Sequence, residues 1–276
     1  MIKDIVVNLS VAQGGSFAGD YAVSIASALD AHITGIAFVY DPIVPVSGTG
    51  YIPAEVIDAQ QADNRAAAKA AIDRFAAATE RVGLSAEPIT LNASFPGAGD
   101  QFSRIARRFD LAVVGQAEPG TSSVEELIAE STLFESGRPV IVVPYIQKGP
   151  LRLDYVTVCW DGSRAAARAI ADAMPLLTRA GRVEVFIVAN ERGKHDEIEG
   201  ADIATHLARH GLKVQVERTA LGDIDVADII LSHAADAGSD FIVMGGYGHS
   251  RLREFVLGGV TRSIFRSMTA PVLMSH

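Results

Sequence analysis

Cysteine is almost absent from this chain, which has one, Cys159, among 276 residues. No internal disulfide can form, and a reducing compartment fits this composition. Basic residues are also few compared with acidic ones. The chain has 24 Lys and Arg and 33 Asp and Glu, which gives a net charge of −9. A general nucleic-acid binder needs a basic face to displace counterions, so we do not expect nucleic acid as a partner.

Long uncharged apolar runs are missing too, and none reaches the length of a membrane span. Residues 1–5 carry Asp4 ahead of a short apolar run, which is not the layout of a signal peptide. We therefore expect a soluble, cytoplasmic protein without a membrane partner. The apolar content of 49% is that of a globular protein able to bury a core.

Two nucleotide-binding motifs are absent. The chain has no G-x-x-x-x-G-K-[ST], which excludes a P-loop NTPase. Residues 246–251 begin like a dinucleotide fingerprint, but the third glycine is missing and the stretch lies far from a first strand.

Short apolar runs alternate with helical patterns along the whole chain. Residues 5–9 and 33–40 are typical of buried strands, and the alanine-rich residues 54–82, followed by Gly83, are typical of a long helix. This alternation predicts an α/β fold with parallel sheets covered by helices on both faces. Further strands are predicted at 86–91, 111–114, 140–143, 155–159, 183–188, 213–218, 241–244 and 271–274, and further helices at 21–29, 101–108, 164–178, 201–210, 225–237 and 260–268.

The pattern restarts after a linker at residues 148–150, so the chain contains an internal duplication. Residues 109–115 match residues 239–245, and residues 138–141 match residues 270–273. We predict two tandem doubly wound domains, 1–146 and 150–276, each a five-stranded parallel sheet in the order 3-2-1-4-5. The first domain also carries extra residues, which are best placed in the segment 41–82.

The strongest functional signal is a run of spaced glycines between a predicted strand and a predicted helix. Gly245, Gly248 and Gly258 follow the apolar run 241–244 and precede a helix face at Val260, Ile264 and Met268. Glycines allow the backbone to approach a ligand, and a helix N-terminus offers free N–H groups and partial positive charge. Together these features predict a phosphate-binding site.

A carboxylate is expected at the same edge of the sheet. Asp161 follows the first strand of the second half, and in the order 3-2-1-4-5 the winding reverses between strands one and four. A nucleotide would suit this pair of loops, with Asp161 on ribose hydroxyls or a bridging metal and the glycine loop on phosphates.

The spacing Gly245-x2-Gly248-x9-Gly258 resembles the ATP-binding signature of the universal stress protein family, as do Asp161 and the ending Ala270-Pro271-Val272-Leu273. The resemblance implies ATP, with Mg or Mn, as the ligand. It implies that the backbone of Val188 contacts the adenine and that Met244 and Val260 line the pocket. It also implies pairing of residues 140–143 with 272–274, an intramolecular pseudo-dimer, with homodimerisation of the whole chain open. Further candidate contacts are His249, Gly259 and Thr261.

Two positions depart from the family pattern. Gly259 stands where a Ser or Thr hydroxyl is usual, and Cys159 stands where a proline is usual. The first half departs further, because Glu118 stands at the place of Gly248 and no Asp follows its first strand. Carboxylates near the equivalent helix start would repel phosphate, so we predict one nucleotide site, in the second half. These carboxylates are Glu125, Glu126 and Glu130.

Each candidate residue also has a structural interpretation. Gly245 and Gly248 could be turn glycines, Asp161 could cap the next helix together with Ser163, and Cys159 could be an inert buried thiol. Trp160 could stack near the ligand or simply pack. His206 and His210 have the spacing of a metal pair, but no third ligand is evident.

The leading hypothesis is an ATP-binding regulatory protein of the stress response, without an evident catalytic constellation. Slow ATP hydrolysis through a metal on Asp161 is the enzymatic variant of it. The alternative from another class is an interaction or scaffold protein that uses residues 41–82 to contact an unidentified protein partner. An enzyme related to nucleotide α-hydrolases lacks a catalytic residue set.

Overall fold

The computed structural model describes residues 1–11, 17–42, 53–118, 124–189, 196–222, 224–246 and 259–276, with the backbone alone for 196–201. Strands and helices alternate within each half of these residues. The first half consists of β1 (Asp4–Asn8), α1 (Phe17–Leu29), β2 (His32–Tyr40), α2 (Ala54–Arg81), β3 (Ala86–Ala93), α3 (Ala98–Ala106), β4 (Leu111–Gly115), α4 (Val124–Glu135) and β5 (Val140–Val143). The second half consists of β6 (Tyr155–Cys159), α5 (Arg164–Leu177), β7 (Arg182–Ala189), α6 (Asp196–Arg209), β8 (Val214–Ala220), α7 (Val226–Ala237), β9 (Phe241–Gly245), α8 (Gly259–Ser267) and β10 (Val272–Ser275).

The strands of the described residues join in one sheet of ten strands, ordered β3-β2-β1-β4-β5-β10-β9-β6-β7-β8. Each half has the predicted order 3-2-1-4-5 with parallel neighbours, which confirms the fold class. The two halves join through an antiparallel pair, in which Val272, Leu273 and Met274 of β10 oppose Val142, Ile141 and Val140 of β5. The predicted pairing of the last strands is therefore confirmed, and the carboxyl ends of the strands point in opposite directions in the two halves.

Helices cover both faces of this sheet. One apolar cluster packs α1, α2, α5 and α6 against one face, and the other packs α3, α4, α7 and α8 against the opposite face. The central strands are buried on both faces, which explains their continuous apolar runs, whereas the edge strands β3 and β8 are largely exposed. Among the described residues, no helix is both long and apolar enough to cross a membrane.

Three helices begin three or more residues earlier than the sequence pattern predicts. The helix expected to begin at residue 21 starts at Phe17. The helix expected to begin at residue 101 starts at Ala98, because Gly99 lets it pack closely on α4: an added Cβ would lie 2.6 Å from Ser131 Oγ. The helix expected to begin at residue 201 starts at Asp196, in a polar stretch that shows no apolar period. The long helix α2 has 28 residues against 14 in its counterpart α6, which accounts for part of the insertion in the first half.

Candidate functional site

The chain turns in opposite directions after two neighbouring strands of the second half. After β6 the Trp160 N–H donates to Phe186 O on β7, and after β9 the Gly246 N–H donates to Ser275 O on β10. Since β6 and β9 are paired, the residues directly after them turn to opposite sides of the pair, which marks the switch point of this half of the sheet. Ligands of open α/β sheets bind in the crevice at such a point, beyond the carboxyl ends of the strands.

Asp161 lies on the β6 side of this crevice and is exposed. Its Oδ1 accepts the Ser163 N–H at 2.9 Å, and Ser163 Oγ accepts the Ala166 N–H at 3.1 Å as the N-cap of α5. Ser163, not Asp161, therefore caps the helix, while Asp161 holds the loop that leads into it. The carboxylate remains at the surface, where a ligand can reach it.

Gly245 lies on the β9 side and touches the first turn of α5. An added Cβ would lie 2.6 Å from Ala166 N and 2.7 Å from the carbonyl carbon of Ala165. Since both atoms belong to the backbone, no side-chain rotation can relieve the clash. Gly245 is thus required by the close approach of β9 to the start of α5, a role distinct from that of a turn glycine.

The apolar residues predicted to line the pocket belong to one cluster. Met244 is 5% exposed within it, and Val188 and Val260 pack against it as half-buried side chains. Thr261 is buried in the first turn of α8. Gly259 begins this helix, is exposed, and has no atom within 4 Å of the place of a Cβ. Three predicted contacts, Gly248, His249 and Gly258, lie outside the described residues.

Carboxylates occupy the equivalent region of the first half. Ser10, after β1, donates from its hydroxyl to Glu125 Oε1 at 2.9 Å, and Glu125 belongs to the first turn of α4. A cavity of about 310 Å³ beside this helix start is lined by Glu118, Glu125 and Glu126, with Arg266 of α8 at its wall. The anionic groups of a nucleotide would meet like charges there, as the sequence pattern predicts.

Comparison with known proteins identifies the second half. The sequence model described as the Universal stress protein family matches residues 154–276. The second half of this chain is a universal stress protein domain.

Curated relatives and solved structures agree with this assignment. Universal stress protein Slr1230 from Synechocystis sp. is 28% identical over 139 residues, which are 49% of this chain and 46% of that protein. Universal stress protein MJ0577 from Methanocaldococcus jannaschii is 40% identical over 45 residues, 16% of this chain and 28% of that protein. The chain thus matches less than half the length of these curated relatives.

The structural matches cover both halves of the chain. A universal stress protein from Archaeoglobus fulgidus has a TM-score of 0.73 at 16% identity, over 98% of this chain and 97% of that one. A putative universal stress protein from Pseudomonas aeruginosa has a TM-score of 0.62 at 14% identity, over 99% of this chain and 92% of that one. At these identities the likeness shows a shared fold, which extends to the first half as a second, tandem copy.

A second polar cluster of the universal stress protein domain lies near the amino ends of its strands, away from the crevice. Glu184 on β7 is 3% exposed, and its Oε1 accepts hydrogen bonds from Tyr155 Oη at 2.6 Å and Gln215 Nε2 at 2.8 Å. Its Oε2 lies 2.5 Å from Nε2 of His233, whose ring stacks on Phe186 at 3.9 Å between centroids. This cluster was not predicted from the sequence, although a glutamate inside the apolar run of residues 183–188 signals a buried charge with partners.

The ionisation of this cluster follows from its contacts. Burial by itself raises the pKa of Glu184, but the hydrogen bonds from Tyr155, His233 and Gln215, together with the charge of His233, outweigh it and lower the pKa. Burial, the hydrogen bond to Glu184 and its charge raise the pKa of Tyr155 to about 12. Glu184 therefore stays ionised, and Tyr155 stays a donor, at neutral pH.

The cysteine and histidine candidates do not form a metal centre within the described residues. The rings of His206 and His210 meet edge to face at 4.9 Å between centroids, and no group of three or more His, Cys, Asp or Glu side chains that could hold a metal is found there. Burial, followed by the charges of Asp161 and Glu184, raises the pKa of Cys159 to about 12, so this thiol stays protonated.

Proposed function

We propose that the universal stress protein domain binds an adenine nucleotide, ATP, in the crevice between β6 and β9, and that the protein serves as a nucleotide-dependent regulator of the stress response. The contrast between the two helix starts carries this proposal. The described first turn of α8 has no acidic side chain, whereas α4 has Glu125 and Glu126 in its first turn. The free N–H groups and positive end of α8 are thus available to phosphates.

The remaining contacts divide according to the chemistry of a nucleotide. Met244, Val188 and Val260 offer an apolar wall to the adenine, and the exposed carboxylate of Asp161 suits ribose hydroxyls. Mg²⁺ or Mn²⁺ would bind with the nucleotide, because Asp161 is a single protein ligand and phosphate oxygens would have to complete the coordination. Gly259 supplies no hydroxyl, so its backbone N–H is the group that would donate a hydrogen bond to a phosphate oxygen at this position.

A role in partner binding is supported by a different observation in the first half. The first turns of α2 are largely exposed, and Val56 among them has 56% of its surface exposed. This helix belongs to the inserted segment and would present a surface to a protein partner without involving the crevice. We therefore assign partner binding to the first half and nucleotide binding to the second.

Fluorescence of Trp160 tests the proposed site directly, since the chain has one tryptophan. Trp160 immediately precedes Asp161, and its indole Nε1 is buried without a hydrogen-bond partner among the described residues. We expect a saturable change in its emission when ATP is titrated into the protein, and weaker binding in Asp161→Ala. Mass spectrometry of the purified protein for co-purified nucleotide is the independent check. Unchanged emission at saturating ATP, with no nucleotide retained, would count against the site.

A further inference from the structure

The first half of the chain contacts Gly246, the residue that leads from β9 into the glycine loop and is called here the root of that loop. Gly246, the residue after β9, is buried, and an added Cβ would lie 2.9 Å from Leu133 Cδ2 and 3.0 Å from Leu133 Cδ1. Leu133 lies in α4 of the first half and is 1% exposed, so its side chain has little room to move. Gly246 is thus a glycine because a helix of the other half fills the adjacent space.

The carbonyl of the same glycine is held from the end of β10. Nδ1 of His276 lies 3.1 Å from Gly246 O, a distance at which an Nδ1–H donates to the carbonyl. The ring of His276 in turn meets Phe134 of α4 edge to face, with 5.3 Å between centroids. Both sides of the peptide at Gly246 are therefore supported by α4, directly or through His276.

The first half also contacts the other end of α8. Gln116 is 6% exposed, and its Nε2 donates to Phe265 O at 2.9 Å, while its Oε1 accepts the Tyr145 N–H at 3.2 Å. Phe265 O is one of the last four carbonyls of α8, which receive no hydrogen bond from within the helix. Gln116 thus acts as a side-chain cap supplied by the first half.

Gln116 and Gly246 occupy equivalent positions in the duplicated fold. Each follows the fourth strand of its half, and their N–H groups donate to Val143 O and Ser275 O in the same way, at 2.8 Å each. The two residues differ in what they do across the junction between the halves. Gln116 reaches out to cap α8, whereas Gly246 makes room for Leu133.

We propose that the first half is a positioning domain for the phosphate site. Leu133 fixes the root of the glycine loop at Gly246, and Gln116 fixes the carboxyl-terminal end of α8. This inference rests on the proposed function for its consequence, which is that nucleotide binding and docking of the two halves stabilise each other. The residues involved are positioning residues, because none of them lies in the crevice itself.

Exchange of backbone amide hydrogens tests the positioning of α8 without any ligand. Replacing Gln116 by Met keeps the length of the side chain and removes its donor and acceptor. We expect exchange in α8 to rise by about threefold to tenfold relative to α5, the range set by one lost hydrogen bond. Gln60→Ala, at an exposed position of α2, is the control and should leave α8 unchanged.

A compensating pair tests the contact at the loop root. Gly246→Ala should weaken ATP binding by about tenfold, since the new methyl group meets Leu133 and must displace the loop root. Gly246→Ala combined with Leu133→Ala should recover most of this loss, because the second change removes the atoms that clash. A merely local requirement for glycine at position 246 would not be relieved by a substitution in the other half.

The outcomes separate the two proposals. If wild-type protein binds no ATP, the proposed function fails, and the exchange measurement still decides whether the first half positions α8. Unchanged exchange in Gln116→Met, or a double variant no better in ATP binding than Gly246→Ala in a protein that does bind it, would overturn the positioning role.

Discussion

Gly245→Ala should lower the free energy of unfolding by about 2–3 kcal/mol, the upper range for an added methyl group in a packed interior. The added Cβ would lie 2.6 Å from Ala166 N and 2.7 Å from the carbonyl carbon of Ala165, so either β9 or the first turn of α5 must shift. That turn begins directly after the loop of Asp161. The same change should therefore weaken ATP binding as well as stability.

Gly259→Ala is the matched control for this prediction, because it adds the same methyl group at the start of α8, the helix that follows β9. No atom lies within 4 Å of the place of its Cβ, and its stability should change by less than about 0.5 kcal/mol. Equilibrium urea unfolding of both variants provides the comparison. Equal stabilities for the two variants would show that the approach of β9 to α5 is not as tight as described.

The second large effect is expected at Glu184, whose carboxylate joins β6, β7, β8 and α7. Glu184→Ala removes the acceptor for Tyr155, Gln215 and His233 and should destabilise the protein by about 3 kcal/mol. Glu184→Gln keeps the shape but not the charge and should cost less. Glu217→Gln, on the exposed part of β8, is the control and should be close to neutral.

Acid unfolding provides the second test of Glu184. Because its pKa is lower in the folded protein than its ordinary value of 4.5, its contribution is fully present above that value. The contribution is lost as the pH falls through the folded-state pKa. Glu184→Gln should therefore lose less stability than the wild type between pH 7 and the acid limit. Identical acid profiles for the two proteins would show that the carboxylate is not stabilised by its partners.

The duplicated sequence accounts for most of the fold and for part of the site. The match of residues 109–115 to 239–245 places β4 and β9 at equivalent positions, and apolar periodicity places the strands within one or two residues. Asp161 and Gly245 reach the same crevice because parallel strands bring the loops after β6 and β9 together. The acidic character of the equivalent region in the first half could also be predicted, since Glu118 and Glu125 are charged whatever their exact positions.

Contacts across the junction of the two halves could not be predicted in the same way. Nothing in the local pattern of Gln116 indicates that its amide reaches Phe265, which is 149 residues away. The sequence around Gly246 indicates only another loop glycine, and the reason for the glycine is the Leu133 side chain packed beside it. The early start of α3 has the same cause, because the need for Gly99 comes from α4 and not from its own neighbours. Tertiary packing decides each of these positions.

The central claim is one nucleotide site per chain, formed by the glycine loop of the second half, and calorimetric titration with ATP tests it most directly. We expect a stoichiometry of one ATP per chain for the wild type. Gly248→Glu, which gives the second half the residue found at Glu118 in the first, should bind no ATP, while Ser10→Ala, which alters the first half alone, should bind as the wild type does. Two equivalent sites per chain, no binding by the wild type, or undiminished binding by Gly248→Glu would contradict the claim.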